Sequence, residues 1–393
     1  MGIVIVGAGE CGVMAAFALR AAGFDGSVTL IGSEPEMPYE RPPLSKSADG
    51  ALQAIRPKEA FETARIKLCR GEAVQAIDRV NKRVMVGGRA LPFQMLLLAT
   101  GSRARKAETL AGTLTLRTFV DAQRIMMHVK PGAKIGIIGA GFIGLEMAAT
   151  ASKIGAEVSV YHDGQAVLSR SVPPQVADII AARHRAEGVH LHLGATVQSA
   201  DATSITLAAG LTRTFDCVIT GIGAVPNVEL AQDAGLSVEN GIQVDESFCT
   251  SAPDIYAAGD CCNFPWRGTR LRLESWRAAQ DHADHVAAAM LGARAAYDKV
   301  PWFWSDHYDQ SIQVAGLFEG SRPTHERDLG LGAKIFFQCD DTGTLTAAAG
   351  VGHGQIISKD ILILEKIIER RAAVVPADIS NIDFNLKAML KAG

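Results

Sequence analysis

The chain has 393 residues, 48% of them apolar, and a formal charge of −3; that length exceeds one ordinary core and implies two or three domains. No apolar run reaches the ~18–20 residues of a membrane span, and so mild a charge excludes strong nonspecific attraction to nucleic acid. The seven cysteines, at 11, 69, 217, 249, 261, 262 and 339, form no C-x-x-C pair, and a first strand starting at residue 2 or 3 leaves no room for a targeting segment, so a cytoplasmic protein is expected.

The opening, Ile3-Val4-Ile5-Val6-Gly7-Ala8-Gly9-Glu10-Cys11-Gly12, is an apolar strand running into three glycines at the G-x-G-x-x-G spacing. In such a unit the first glycine makes a tight turn, the second lets the backbone approach a pyrophosphate, and the third packs the helix on the strand. Glycine-rich turns also serve as plain packing, but the context here favours dinucleotide binding. A small-residue helix is predicted over Val13–Ala22, ending at Gly23, and a second strand over Ser27–Ile31. Glu34 lies twenty-two residues past Gly12, near the ~20-residue interval at which an acid reaches a ribose hydroxyl.

Pro38–Lys46 contains the adjacent Pro42 and Pro43, which remove backbone donors and helical freedom, so an ordered extended loop is predicted. Short segments at Ile66–Leu68, Ala73–Ile77 and Arg83–Val86 read as a small antiparallel meander. Met95-Leu96-Leu97-Leu98-Ala99-Thr100-Gly101 reads as a buried parallel strand ending at a glycine turn. From Lys134 the opening pattern returns as Ile135-Gly136-Ile137-Ile138-Gly139-Ala140-Gly141-Phe142-Ile143-Gly144-Leu145-Glu146, with a helix to about Lys153 and strands at Glu157–Tyr161 and Val189–Leu193. Asp216–Gly223 is another buried strand entering glycines, and Pro226-Asn227 punctuates its exit. Two such units suggest two cofactors side by side, as in a flavin enzyme reduced by nicotinamide.

Downstream, Ile255-Tyr256-Ala257-Ala258-Gly259-Asp260 places a carboxylate at a strand end, where ligands of open α/β sheets gather; Asp260 also reads as a helix N-cap. A helix is predicted over Arg277–Leu291, with Ala278, Ala279, His282, Val286 and Met290 on one face. Beyond Pro301 a third domain of sheet plus helix is expected. Its aromatic cluster at Trp302, Phe303 and Trp304 is read as core, Lys334–Gln338 pairs with Leu345–Gly350 as a hairpin, and a helix covers about Gln355–Arg371. His162, His282, His285 and His307 show no ligand spacing, so no metal is expected. Cys11, Cys261 and Cys262 read as packing residues.

Taken together, the two fingerprints, Arg41–Lys46, Leu116-Arg117-Thr118, Gly221–Asn227, Ile255–Asp260, Glu274-Ser275-Trp276 and Trp302–Asp306 resemble, in order along nearly the whole chain, the FAD-dependent ferredoxin reductases of bacterial oxygenase systems. The resemblance implies an α/β fold of glutathione-reductase type, with two Rossmann-like domains and a C-terminal α+β domain. The implied division is a discontinuous FAD domain at 1–108 and 227–300, an NAD domain at 109–226 and a C-terminal domain at 301–393. It implies FAD contacts from Lys46, Val74, Arg117, Asp260 and Trp276, and an ion pair of Lys46 with Glu146 near the reactive flavin nitrogen. The candidate FAD site is completed by Gly7, Gly9, Gly12, Glu34, Arg41, Thr100, Gly101 and Gly259. The candidate NAD site is Gly139, Gly141, Phe142, Ile143, Gly144, Glu146, Asp163 and Gly223.

Two positions depart from the family pattern: Ser33 and His162 stand where an acid is usual, with Glu34 and Asp163 each one place later. His162–Leu168 holds no Lys or Arg for a 2′-phosphate, which favours NADH over NADPH. Disulfide, peroxide and CoA-disulfide reductases of this architecture carry cysteine beside the flavin, and the loop ending at Lys46 has none. The expected activity is electron transfer from NADH through FAD to a [2Fe-2S] ferredoxin serving a Rieske-type or haem-thiolate oxygenase, in a monomer or homodimer without nucleic-acid or membrane partners. Alternatives are a rubredoxin reductase, an NADH oxidase, or a redox-signalling flavoprotein like apoptosis-inducing factors. Arg277 and Arg294 are candidate cations for docking an acidic ferredoxin.

Overall fold

The computed structural model describes residues 2–47 and 52–390. They divide into two compact units: one runs to Glu40 and then takes Leu52–Arg103 and Ala224–Lys299; the other takes the loop from Arg41, then Ala104–Gly223, then the chain from Val300.

The first unit is built on a five-stranded parallel sheet in the order Ile255–Ala257, Met95–Leu98, Gly2–Val6, Ser27–Gly32, Ile66–Arg70. Gly2–Val6 is buried along its whole length, as an apolar run in the middle of a parallel sheet must be. The helix Glu10–Ala21 starts three residues before the apolar pattern does, and it packs against the helix Trp276–Met290, whose first turn is capped by the Ser275 hydroxyl. One expectation fails here. Ile66–Leu68 belongs to no antiparallel meander: it pairs in parallel with Ser27–Gly32 at the sheet edge, Val28 opposite Ile66. The meander is made instead by Val74–Asp78, Arg83–Val86 and Arg89–Pro92. A short apolar strand at an edge has the same alternation in either direction, so periodicity could not separate the two.

The second unit repeats the arrangement with four parallel strands in the order His190–Leu193, Glu157–His162, Lys134–Ile138, Cys217–Thr220. Its helices include Phe119–Met126, Phe142–Ile154 and Pro174–Ala186. The chain beyond Val300 adds a five-stranded antiparallel sheet in the order Trp302–His307, Gln310–Gly316, Leu345–His353, Ala333–Cys339, His325–Gly330. Strand alternation gives this sheet two apolar faces. Ile312, Val314, Phe336, Ala349 and Val351 join the core formed by Val176, Ile180 and the Lys134–Ile138 strand. Ala315, Ile335, Phe337 and Ala348 face Ile357, Ile361, Leu364, Ile367 and Ile368, the last four on the helix Ser358–Glu369. The predicted hairpin is present, with Gln338 opposite Ala347 and its turn tied by Asp340 accepting from the amides of Thr342 and Thr344.

The proline-rich loop also departs from expectation. Pro42–Ser45 forms a short 3₁₀ turn, with the Lys46 amide donating to the Pro43 carbonyl at 3.0 Å. Proline at the first helical positions has its φ set for such a turn and its missing donor is not needed there.

Candidate functional site

Each unit presents a glycine turn at the mouth of its parallel sheet. A Cβ on Gly12 would lie 1.9 Å from the Gly7 carbonyl oxygen, and one on Gly144 would lie 2.2 Å from that of Gly139, so the helices can seat this close only on glycine. A Cβ on Gly9 or Gly141 would meet nothing within 4 Å. Both of these are N-cap residues without a side-chain cap. The turns therefore offer uncapped helix amides facing open space, the arrangement that accepts a pyrophosphate. The residues present fit a dinucleotide in each unit.

In the first unit the neighbours of the turn come from distant stretches of sequence. Gly259 lies against Cys11, whose Sγ would be 3.3 Å from an added Cβ, and its amide donates to His282 Nδ1 at 3.2 Å. Asp260 accepts from the Ser102 hydroxyl at 2.9 Å. Thr100 and Asn227 tie the two ends of the sheet mouth, through Thr100 Oγ1 to the Asn227 carbonyl at 2.6 Å and Asn227 Nδ2 to the Thr100 carbonyl at 2.8 Å; Gly101 follows with φ +65°. Glu34 accepts a hydrogen bond from the Tyr39 hydroxyl. Val74 opens the meander, partly buried, and Trp276 is the first residue of its helix. Burial pushes the thiols of Cys11, Cys261 and Cys262 upward, so all three stay protonated packing groups.

In the second unit the 3₁₀ turn brings Lys46 Nζ to 3.2 Å from Glu146 Oε1, and to 3.6 Å from Asp306 Oδ2. Glu146 is 6% exposed and receives two further donors, the hydroxyls of Ser45 and Ser305. The ammonium of Lys46 sits 5.4 Å from the ring centroid of Trp304. The expectation that Trp302, Phe303 and Trp304 are core holds only in part: all three are partly buried, Trp302 and Phe303 pack against the two cores that flank the sheet, and Trp304 lies on the same face of the edge strand as Trp302. Phe303 meets Phe142 edge to face at 5.1 Å. Arg41 donates to the Arg117 carbonyl at 2.6 Å. Ile143 is 44% exposed beside Gly141, Gly223 turns with φ +106°, and exposed Asp163 pairs with His162 at 3.3 Å.

Ser45 reaches Glu146 from the same 3₁₀ turn that carries Lys46, whereas Trp304, Ser305 and Asp306 carry no local signal that assigns them to Lys46; the strand Trp302–His307 of the C-terminal sheet delivers them. Arg277 is partnered by Asp281 at 3.2 Å one helical turn on, while Arg294 is exposed. Among the described residues no group of three or more His, Cys, Asp or Glu could hold a metal ion, and no helix is long and apolar enough to cross a membrane.

Residues 1–283 match the family model of pyridine nucleotide-disulphide oxidoreductases, and residues 302–390 match a reductase C-terminal model. The chain is similar to rhodocoxin reductase of Rhodococcus erythropolis, 37% identical over 98% of this chain and 94% of that one. It is similar as well to the anthranilate 1,2-dioxygenase system ferredoxin–NAD(+) reductase component of Burkholderia cepacia, 37% identical over 98% of each. Among solved structures it resembles a chain of the crystallised covalent putidaredoxin reductase–putidaredoxin complex, with a TM-score of 0.92 and 33% identity over 100% of this chain and 98% of that one.

Proposed function

The chain belongs to the pyridine nucleotide-disulphide oxidoreductase family, and we propose that it is the ferredoxin reductase of an oxygenase system, taking electrons from NADH through FAD to a [2Fe-2S] ferredoxin that feeds a Rieske-type or haem-thiolate oxygenase. It is an oxidoreductase whose relatives are named as ferredoxin–NAD(+) reductase components. One observation carries the reading. The loop that would hold redox cysteine in disulfide reductases instead holds Lys46, locked by a 3.2 Å contact to buried Glu146.

FAD, when bound, supplies hydride acceptance and one-electron release. In this reading 1–108 and 227–300 hold FAD through Gly7, Gly9, Gly12, Glu34, Val74, Thr100, Gly101, Gly259, Asp260 and Trp276, helped by Arg41 and Arg117. Residues 109–226 hold nicotinamide through Gly139, Gly141, Phe142, Ile143, Gly144, Asp163 and Gly223, and 301–393 form the C-terminal domain. By the family resemblance, Lys46 would supply a fixed positive charge to bound FAD. Glu146 holds that ammonium in place, and its three donors hold Glu146. Asp260, anchored by Ser102, orients at the strand mouth. The His162–Asp163 pair and the lack of Lys or Arg over 162–168 support NADH over NADPH.

Steady-state assays with NADH test this: a [2Fe-2S] ferredoxin should raise turnover well above the rate with oxygen alone, and NADPH should be the poorer donor. Equal rates with and without ferredoxin would favour an NADH oxidase, and selective stimulation by rubredoxin would favour a rubredoxin reductase. Homogeneous protein by sedimentation would report the expected monomer or homodimer.

A further inference from the structure

Behind Glu146, beginning at its donor Ser305, runs a line of polar groups that reaches the half-buried Tyr308. Ser305 Oγ, which donates to Glu146 Oε1, is 3.1 Å from His307 Nε2. His307 Nδ1 is 3.4 Å from His184 Nε2, and His184 Nδ1 is 3.3 Å from the Tyr308 hydroxyl. Ser305, His307 and His184 are 1%, 0% and 0% exposed, while Tyr308 is half-buried. Polar residues at consecutive inward positions of a strand, with a histidine from the facing helix completing their bonds, are costly where apolar packing would serve.

Proton counting fixes the direction of every link. Burial keeps both imidazoles neutral, His307 pushed down to about 3 and His184 to about 4, so each carries one ring proton. An ionised Glu146 can only accept, so Ser305 spends its proton there and its oxygen must accept from His307 Nε2–H. That leaves His307 Nδ1 bare to accept from His184 Nε2–H, and His184 Nδ1 bare to accept from Tyr308. Burial pushes the Tyr308 hydroxyl up to about 12, so it keeps its proton to give. All donors along the line point toward Glu146, and Ser152, the other hydroxyl beside Tyr308, has the Glu187 carbonyl to donate to at 3.0 Å; the tautomers follow from this count. Moving every proton one link inward yields a second complete arrangement, with Glu146 protonated, every donor reversed and one proton drawn from water at Tyr308. No group has to rotate between the two.

We propose that Tyr308, His184, His307 and Ser305 form a relay through which Glu146 takes one proton from water when the cofactor site beside Lys46 gains negative charge, and returns it when that charge leaves. This rests on the reading that Lys46 and Glu146 face the flavin. Over one cycle a hydride, two electrons with one proton, arrives from NADH, and one water-derived proton settles on Glu146. Two electrons then leave singly to two ferredoxins and both protons return to water, so the net release is the single proton that NADH oxidation by two one-electron acceptors requires. Charged groups face the relay from each packed element: Lys46 and Asp306 at the inner end, Lys153 and Arg183 flanking the Tyr308 ring at 5.6 and 5.4 Å, and Glu187 and Asp309 paired with Arg183. Tyr308 itself is held with φ +59° in the two-residue turn after His307, a conformation that a bulky residue adopts only when its surroundings impose it.

The test is anaerobic stopped-flow reduction of the FAD-loaded enzyme by NADH in weak buffer, following flavin absorbance and a pH-indicator dye together. The wild type should take up about one proton per NADH in step with flavin bleaching. His307→Gln can donate to Ser305 and accept from His184, so it keeps the bonds, but an amide does not pass a proton through; its uptake should lag bleaching by about tenfold or more. Tyr308→Phe should lag likewise. Wild type without uptake, or His307→Gln with unchanged timing, overturns the relay while leaving the ferredoxin-reductase reading in place. Bound flavin that NADH does not reduce in the wild type overturns both.

Discussion

The charge at the centre of the second unit depends on very few atoms. Glu146→Gln keeps the shape of the side chain and removes the anion that fixes Lys46, so NADH-driven flavin reduction should slow by about ten- to a thousandfold, the range seen when one preorganised electrostatic contact is lost. Stopped-flow absorbance measures it, and unchanged rates would remove Glu146 from the mechanism. Three buried histidines make a second prediction. His184, His282 and His307 are pushed by burial to about 4, 3 and 3, below the ordinary value near 6.5. The unfolded chain therefore binds protons that the folded one refuses as pH falls through about 6.5, so stability present above that pH is lost progressively toward about pH 3, by up to about 1.4 kcal/mol per pH unit for each group. The urea midpoint should drop clearly between pH 7.5 and 5.5; a flat profile would contradict the burial. The pairing of Lys46 with Glu146 was legible in the sequence because the family motif that ends at Lys46 implies it. The tie of Ser305 and His184 to that pair was not, since a strand serine and a helix histidine acquire this meaning only when strand pairing and helix packing bring them to one line.

Helices set on glycine give a sharper contrast. Gly144→Ala would drive a methyl into the Gly139 carbonyl, so it should cost several kcal/mol and yield little folded protein. Gly141→Ala meets nothing of the protein; it should fold with wild-type thermal stability and lose about tenfold or more in NADH affinity, read by titration of the charge-transfer band. Equal behaviour of the two variants would overturn the proposed place of Gly141 at the pyrophosphate. A different device secures the end of the chain. Arg327, 4% exposed, bonds Asp360 at 3.1 Å and the carbonyls of Ile379, Asn381, Ile382 and Phe384. Arg327→Ala should therefore loosen everything after residue 375 at a cost of about 2–4 kcal/mol, visible as new protease cleavage there. Both fingerprint strands and their helices could be read from glycine spacing, and the hairpin around Asp340 from its turn residues. The edge position of Ile66–Arg70 could not, because the partner that decides it lies in another stretch of chain.

At the level of the whole molecule, the chain beyond Val300 is no detachable appendage to the second parallel sheet. Ile312, Val314, Phe336, Ala349 and Val351 share one core with Val176, Ile180 and Ile135, so a chain ended after Lys299 would expose that apolar face. It should be insoluble or fail to bind NADH, tested by expression and pull-down on immobilised nucleotide; a soluble, NADH-binding product would show that nicotinamide binding does not need the chain beyond Lys299. The strand Ile255–Ala257 completes the first sheet by pairing with Met95–Leu98, and that pairing has a cost in time. On the ribosome, the apolar edge of Met95–Leu98 emerges long before its partner. The roughly 160 residues between them take about 8–30 s to synthesise at ~5–20 residues per second. For that interval the nascent protein carries an open, buried-type strand edge of the kind that recruits other chains, so its yield in a cell should be governed by chaperone supply and by growth temperature.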